Sequence, residues 1–143
     1  AGRRFEFLGE VNGVTIADDY AHHPTELEAT LRAAREMDYK RVWAVFQPFT
    51  YTRTQMLLDD FARVLQIADK VVMTEIMGSR ERAEDYAVRT KDLAAKVPGS
   101  VWYDTFDEVV DHVMKNARPG DLVITLGCGD IYKAAKKMVA WEA

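Results

Sequence analysis

Short apolar runs alternate with amphipathic stretches along nearly the whole chain, and this alternation constrains the fold more than any single motif. The run "RVWAVFQP" (41–48) has the length and apolar content of a buried strand, and "KVVMTE" (70–75), "SVWYD" (100–104) and "DLVITL" (121–126) read as further strands. Between them apolar residues recur at helical spacing. Leu27, Leu31, Ala34 and Met37 share one face of a helix opened by Pro24 and running to about Asp38. Met56, Leu57, Phe61, Val64 and Leu65 form the apolar side of a helix from about Thr52 to Ala68. Further helices are predicted around Thr90 to Val97, over 105–117, and from Ile131 to about Trp141. At the start, "RFEFLGEV" and "VTIAD" flank Asn12-Gly13, a dipeptide suited to a tight hairpin, so the first two strands are antiparallel. The expected fold is α/β: a Rossmann-like, mostly parallel sheet with helices on both faces, right-handed crossovers and an N-terminal antiparallel hairpin. Residues 1–143 read as a single domain, without internal repeat, low-complexity tract or linker.

In such sheets ligands bind beyond the carboxyl ends of the strands, where strand order switches. Four loops fall there, and they hold the most unusual sequence: Asp18 to Glu26, Gln47 to Gln55, Glu75 to Glu81 and Gly127 to Asp130. The first, "DDYAHHPTE" (18–26), concentrates titratable groups. Asp19 at a strand end can accept two hydroxyl hydrogen bonds, as a ribose offers, or act as a turn or cap acid. His22 and His23 can hold an anion when protonated or a metal when neutral. Adjacent residues on extended chain point apart, and His112 is the only other histidine, so a multi-histidine metal site is not expected. In "FQPFTYTRTQ" a helix starting near Thr52 would turn its amides toward the rim and favour an anion, and Arg53 could grip a carboxylate with two parallel bonds or lie solvated. "LGCGDIY" is a strand-to-helix turn whose Gly127 and Gly129 allow close backbone approach, with Asp130 beside them. It lacks the third glycine of a dinucleotide fingerprint and the lysine of a phosphate loop.

Composition narrows the classes further. A chain of this length can bury roughly 68–70% of its unfolded surface. The single cysteine, Cys128, excludes an internal disulfide framework and fits a reducing compartment, so the cytoplasm is expected. No apolar run approaches the roughly 20 residues of a membrane span. With 19 basic and 23 acidic residues, and the cations scattered, nucleic acid is not an expected partner. The chain opens on Ala1 and is dense with structure at once, the pattern expected of a piece of a longer protein.

"GRRFEFLGE", "DDYAHHPTE", "FQPFTYTRT" and "GCGDI", in this order and at these separations, resemble the carboxy-terminal domain of the Mur ligases, in particular the branch that joins L-alanine to UDP-N-acetylmuramate. The resemblance covers essentially the whole chain. It implies a cytoplasmic step of peptidoglycan synthesis: ATP phosphorylates the muramate carboxylate, and the amine of L-alanine attacks the acyl phosphate to give the amide, ADP and phosphate. ATP and magnesium would be held mainly by a central domain, and the UDP-sugar by an N-terminal one, neither of which this chain contains. By the same resemblance Arg4 and Asp19 match nucleotide-binding positions, Asp19 at the adenosine ribose. Tyr20, His22 and Arg53 match the L-alanine site, with Gly127, Gly129 and Asp130 on a loop near it. No metal ligand and no catalytic residue are assigned within the chain. Many members read "FQPHRYTRT" where this chain has Phe49 and Thr50, so a second arginine for the carboxylate is absent. The chain also lacks G-x-x-x-x-G-K-[ST], so alone it should be inactive.

Three other readings remain open: a related ligase that attaches a recycled tripeptide to the same sugar, a two-metal phosphohydrolase using Asp18, Asp19, His22 and His23, and a plain nucleotide-binding module. His112 is expected to be solvated, Trp43 to be core, Cys128 to fit a tight turn, and "GSRERAEDYAVRTK" to be a mobile, solvated surface.

Overall fold

The computed structural model describes residues 4–142. Strands β1 (Glu6–Val11) and β2 (Val14–Asp19) form the expected hairpin, paired antiparallel. Asn12 and Gly13 both take positive φ, +53° and +81°, the turn whose twist matches that of its strands. β3 (Arg41–Phe46), β4 (Lys70–Thr74), β5 (Val101–Tyr103) and β6 (Asp121–Leu126) extend the sheet in the order β1-β2-β6-β3-β4-β5. Every pairing other than the hairpin is parallel. The last strand of the sequence thus lies between the second and the third.

Alternation along the strands supplies both faces. Val42, Ala44 and Phe46 join Leu122, Ile124 and Leu126 beneath α1 (Pro24–Glu36), α3 (Leu58–Leu65) and α4 (Thr90–Ala94). Trp43, Val45 and Val123 point the other way, beneath α5 (Phe106–Asn116) and α6 (Tyr132–Val139). A strand covered on both faces has no polar side to show, which is why these runs are apolar throughout. Both cores are assembled from residues of this chain.

Three expectations need correction. The helix expected from Thr52 to Ala68 is broken at Leu57 into α2 (Tyr51–Met56) and α3, and Met56, assigned to the apolar side, is 73% exposed. The run after Gly78 is not loose. The Glu81 carboxylate accepts the Tyr51 and Thr52 amides at 2.5 and 3.1 Å and the Thr52 hydroxyl at 2.5 Å, Tyr86 stacks on Tyr51, and Arg89 donates to the Tyr86, Val88 and Ala83 carbonyls. Glu81 therefore occupies the α2 N-terminus that the sequence offered to an external anion. Hydrogen bonding from Thr52 and the Tyr51 amide holds its carboxyl below the ordinary value. His112 is half-buried, its ring against Trp43 and its Nδ1 2.9 Å from the Tyr103 hydroxyl, and burial pushes its pKa down.

Asp121 organises the amino-terminal end of the sheet. Buried at 1% exposure, it accepts from Arg41 Nε and Nη2, the Trp43 indole N–H and the Arg118 amide. Burial alone would raise this carboxyl, but Arg41 and the two N–H donors hold it below its ordinary value. Its stabilisation is present above the unfolded carboxyl pKa and is lost as pH falls through the depressed folded one. Asp121→Ala strands the Arg41 guanidinium and is expected to lower the urea-unfolding free energy at neutral pH by about 3 kcal/mol. The difference from wild type should shrink in acid, and a variant as stable as wild type at pH 7 would contradict this account. Glu81→Ala should speed amide hydrogen exchange at Tyr51 and Thr52 selectively; unchanged protection there would mean the cap does not hold the loop.

Candidate functional site

The carboxyl ends of β2, β6, β3 and β4 are level: Asp19 pairs with Leu126, Leu126 with Phe46, and Phe46 with Met73. The four loops singled out in the sequence therefore form one rim, and they bond to one another. The Gly127 amide donates to the Asp19 carbonyl at 3.3 Å, and the Gln47 amide to the Leu126 carbonyl at 3.0 Å. Thr50 N–H reaches the Met77 carbonyl, and Met77 N–H the Pro48 carbonyl, both at 2.9 Å. The chain leaves β2 and β3 for helices on one face but leaves β6 for α6 on the other. β6 is thus flanked by two of the reversals at which open sheets form crevices.

Asp19 is buried, and both its oxygens accept backbone N–H groups at 2.8 Å: Oδ2 from Phe5 and Oδ1 from Ala21. It ties the approach to β1 against the loop after β2, which is the turn-acid role, and each oxygen keeps a lone pair for a further donor. Arg4, Asp19 and Tyr20 meet in one cleft of about 260 Å³, closed on its other side by Thr25, Glu26 and Thr30 of α1. Tyr20 and Arg4 are exposed there.

The two histidines have separate duties. His23 is the N-cap of α1: its Nδ1 accepts the Thr25 amide at 3.3 Å, while Glu26 Oε1 accepts the His23 and His22 amides at 3.1 and 3.2 Å. Burial tends to raise the Glu26 carboxyl, but those amides and the two imidazoles hold it below its ordinary value. His22 Nδ1 lies 3.2 Å from the Tyr20 carbonyl oxygen, which puts the proton of the neutral ring on Nδ1 and leaves Nε2 as an acceptor. The His22 ring meets Tyr20 edge-on at 5.6 Å and Phe49 at 6.4 Å, joining the loop after β2 to the loop after β3.

That second loop carries a strained residue. Thr50 adopts φ +64°, unusual for a β-branched side chain. Its hydroxyl accepts the Arg53 amide at 3.2 Å, and its carbonyl accepts the Thr54 hydroxyl at 2.7 Å. Thr50 is thus the N-cap of α2. Arg53 is half-buried, and among the described residues no carboxylate lies within ion-pair distance of its guanidinium.

Gln47 was missed at the sequence level, although a lone glutamine closing an apolar strand before Pro48 was a signal. It is 4% exposed and donates from Nε2 to Asp130 Oδ1 at 2.9 Å across the β3/β6 crevice, while its buried Oε1 has no partner. A Cβ at position 129 would lie 2.6 Å from both Gln47 Oε1 and Met77 Sδ, so Gly129 is required by close approach. The structure thus gathers Arg4, Asp19 and Tyr20 in one cleft and Gly129 and Asp130 around Gln47, with His22 and Phe49 between the loops. Among the described residues, no group of three or more His, Cys, Asp and Glu side chains is placed to hold a metal ion.

The Mur ligase glutamate ligase domain matches residues 3–129. A UDP-N-acetylmuramate–L-alanine ligase from Acetivibrio thermocellus is 45% identical over 96% of this chain, which spans 31% of that protein. A crystal structure of a UDP-N-acetylmuramate-alanine ligase from Thermotoga maritima superposes with a TM-score of 0.77 at 23% identity, covering 96% of this chain and 29% of that one. A third match is a crystal structure described as a domain of a UDP-N-acetylmuramate:L-alanyl-γ-D-glutamyl-diaminopimelate ligase from Haemophilus ducreyi. It gives a TM-score of 0.73 at 27% identity and covers 96% of this chain and 98% of that one. On these matches, which run through the rim loops as well as the core, the chain belongs to the Mur ligase family.

Proposed function

We propose that this chain is the carboxy-terminal domain of an ATP-dependent UDP-N-acetylmuramate:L-alanine ligase acting in the cytoplasm, and that its rim receives L-alanine and the adenosine end of ATP. The observation that carries the reading is Arg53: a half-buried guanidinium beside the rim with no carboxylate of the described residues to neutralise it. Such a cation is matched by a ligand carboxylate, held by two parallel N–H···O bonds. His22, tied to the same loop through Phe49, and the exposed Tyr20 supply polar contacts on the other side. Gly127, Gly129 and Asp130 line the turn beside them, with Asp130 held by Gln47.

The cleft of Arg4, Asp19 and Tyr20 suits the nucleoside. Asp19 can take a ribose hydroxyl on either oxygen without releasing the amides it already holds. Phosphates and magnesium fall to the rest of the polypeptide, since the sequence has no phosphate loop and the described residues hold no clustered ligand set. The same residues argue against a metal-dependent phosphohydrolase. Of its four ligands, His23 caps α1 through Nδ1 and Asp18 is buried and accepts the Thr125 hydroxyl at 2.6 Å, and among the described residues no three His, Cys, Asp or Glu side chains are grouped to hold a metal ion.

In the full-length enzyme, Arg53→Ala is expected to raise the KM for L-alanine by about tenfold or more, the weight of one charge-assisted contact, with little change in the KM for ATP. Asp19→Asn, which keeps an acceptor for a backbone amide, should raise mainly the KM for ATP. Steady-state ATP consumption dependent on UDP-N-acetylmuramate and L-alanine is the readout. Ligation of a tripeptide but not of L-alanine would move the assignment to the recycling ligase, and an unaltered Arg53→Ala would return that side chain to the solvated surface. Residues 1–143 alone should give no ligation above an inactivated control, and turnover by them would overturn the division of labour.

A further inference from the structure

At the opposite end of the sheet from the rim lies a cavity of about 210 Å³. It opens between the starts of β3 and β4, the turn before β5 and the last turn of α5, and is lined by Arg41, Trp43, Lys70, Gly99, His112 and Arg118. The charges around it do not balance. Asp121 is taken by Arg41, Asp69 by Arg35, and Asp111 by Lys115 at 2.9 Å. Arg41 Nη2 also donates to the Asn116 carbonyl at 3.3 Å, which blunts the negative end of α5. Among the described residues, the Lys70 ammonium and the Arg118 guanidinium have no ion-pair partner.

Neutral donors complete the lining. With its Nδ1 2.9 Å from the Tyr103 hydroxyl, His112 leaves its Nε2 without a protein partner among the described residues, and Nε2 bears the ring proton whenever that hydroxyl is the donor. The space over Gly99 is open: a Cβ there would meet nothing within 4 Å. The cavity therefore presents two uncompensated cations and the Nε2 edge of an imidazole around a space fit for a small polyoxygen anion.

We propose that this cavity binds a phosphate group, as inorganic phosphate or as the terminal phosphate of a small phosphomonoester. A dianion matches the two unpaired cations, and its several oxygens can meet donors arriving from β4, from α5 and from the turn after α5, which a monocarboxylate cannot. The site is independent of the rim and uses none of its residues.

The test is a 15N–1H NMR titration of residues 1–143 with inorganic phosphate against sodium chloride at constant ionic strength. The chain closes both its cores by itself, and a solved domain of nearly the same extent exists on its own. The expected result is saturable shifts at Gly99, Val101, His112 and the Trp43 indole N–H, weakened by about tenfold or more in Lys70→Ala/Arg118→Ala. Both side chains are exposed, so the variant should keep its fold, which the shifts of the α1 and α3 amides report; the milder Lys70→Gln replaces it if they move. Glycerol 2-phosphate separates the sources: tighter binding than inorganic phosphate assigns an esterified ligand, weaker binding the free ion. Linear, unsaturable shifts, saturable shifts confined to residues 127–130, or equal affinity in the variant would each overturn the proposal.

Discussion

The insertion of β6 between β2 and β3 is the constraint on which the rest of the structure depends. It is the last strand in the sequence, yet it pairs along its whole length with β3 and from Leu122 to Leu126 with β2, and all six of its residues are buried. Until it is in place, neither sheet face is continuous and the carboxyl ends of β2 and β3 have nothing to align them. Once there, it levels Asp19, Phe46 and Leu126, and brings loops more than a hundred residues apart into hydrogen-bonding contact, as the Gly127 amide to the Asp19 carbonyl illustrates. Its pairings are all long-range, so closing the sheet carries the loop-closure cost of bringing distant segments together.

The two ends of that strand are treated differently. At its start, the buried Asp121 is matched by Arg41, Trp43 and a backbone amide, so its charge is spent on holding strands together. At its far end the chain supplies donors and acceptors without closing every account. Gln47 pairs on one side only, Thr50 holds a strained backbone, and Arg53 has no carboxylate among the described residues. Open polar groups and a strained backbone gathered on one rim are what support the reading of that rim as the place where a ligand completes the set.

Features set by local rules were legible in the sequence. Asn12-Gly13 specified its turn, Pro24 opened its helix, and the apolar runs read correctly as strands, buried on both faces in β3 and β6 but lying at the sheet edge in β5, where Trp102 is 37% exposed. What escaped depends on residues distant along the chain. Glu81 cannot be seen as the cap of α2 from its neighbours, because it acts across 29 and 30 positions on Thr52 and Tyr51. The break at Leu57, which exposes Met56, leaves no trace in a pattern that stays helical through it. His112 looked solvated on a charged helix until Trp43 and Tyr103, from two strands, closed around it. Of the candidate site, the residue types and loops were readable, but not that Asp19 spends an acceptor on each oxygen before any ligand arrives, nor that Gln47 braces Asp130.

The claim that matters most is that this rim takes part in holding the reactants. A crystal structure of the full-length protein with L-alanine and a non-hydrolysable ATP analogue tests it most directly. The account predicts the L-alanine carboxylate within hydrogen-bonding distance of the Arg53 guanidinium, and the ribose in the cleft of Arg4, Asp19 and Tyr20. Both ligands held wholly by other parts of the polypeptide, with Arg53 left in solvent and the cleft empty, would contradict it.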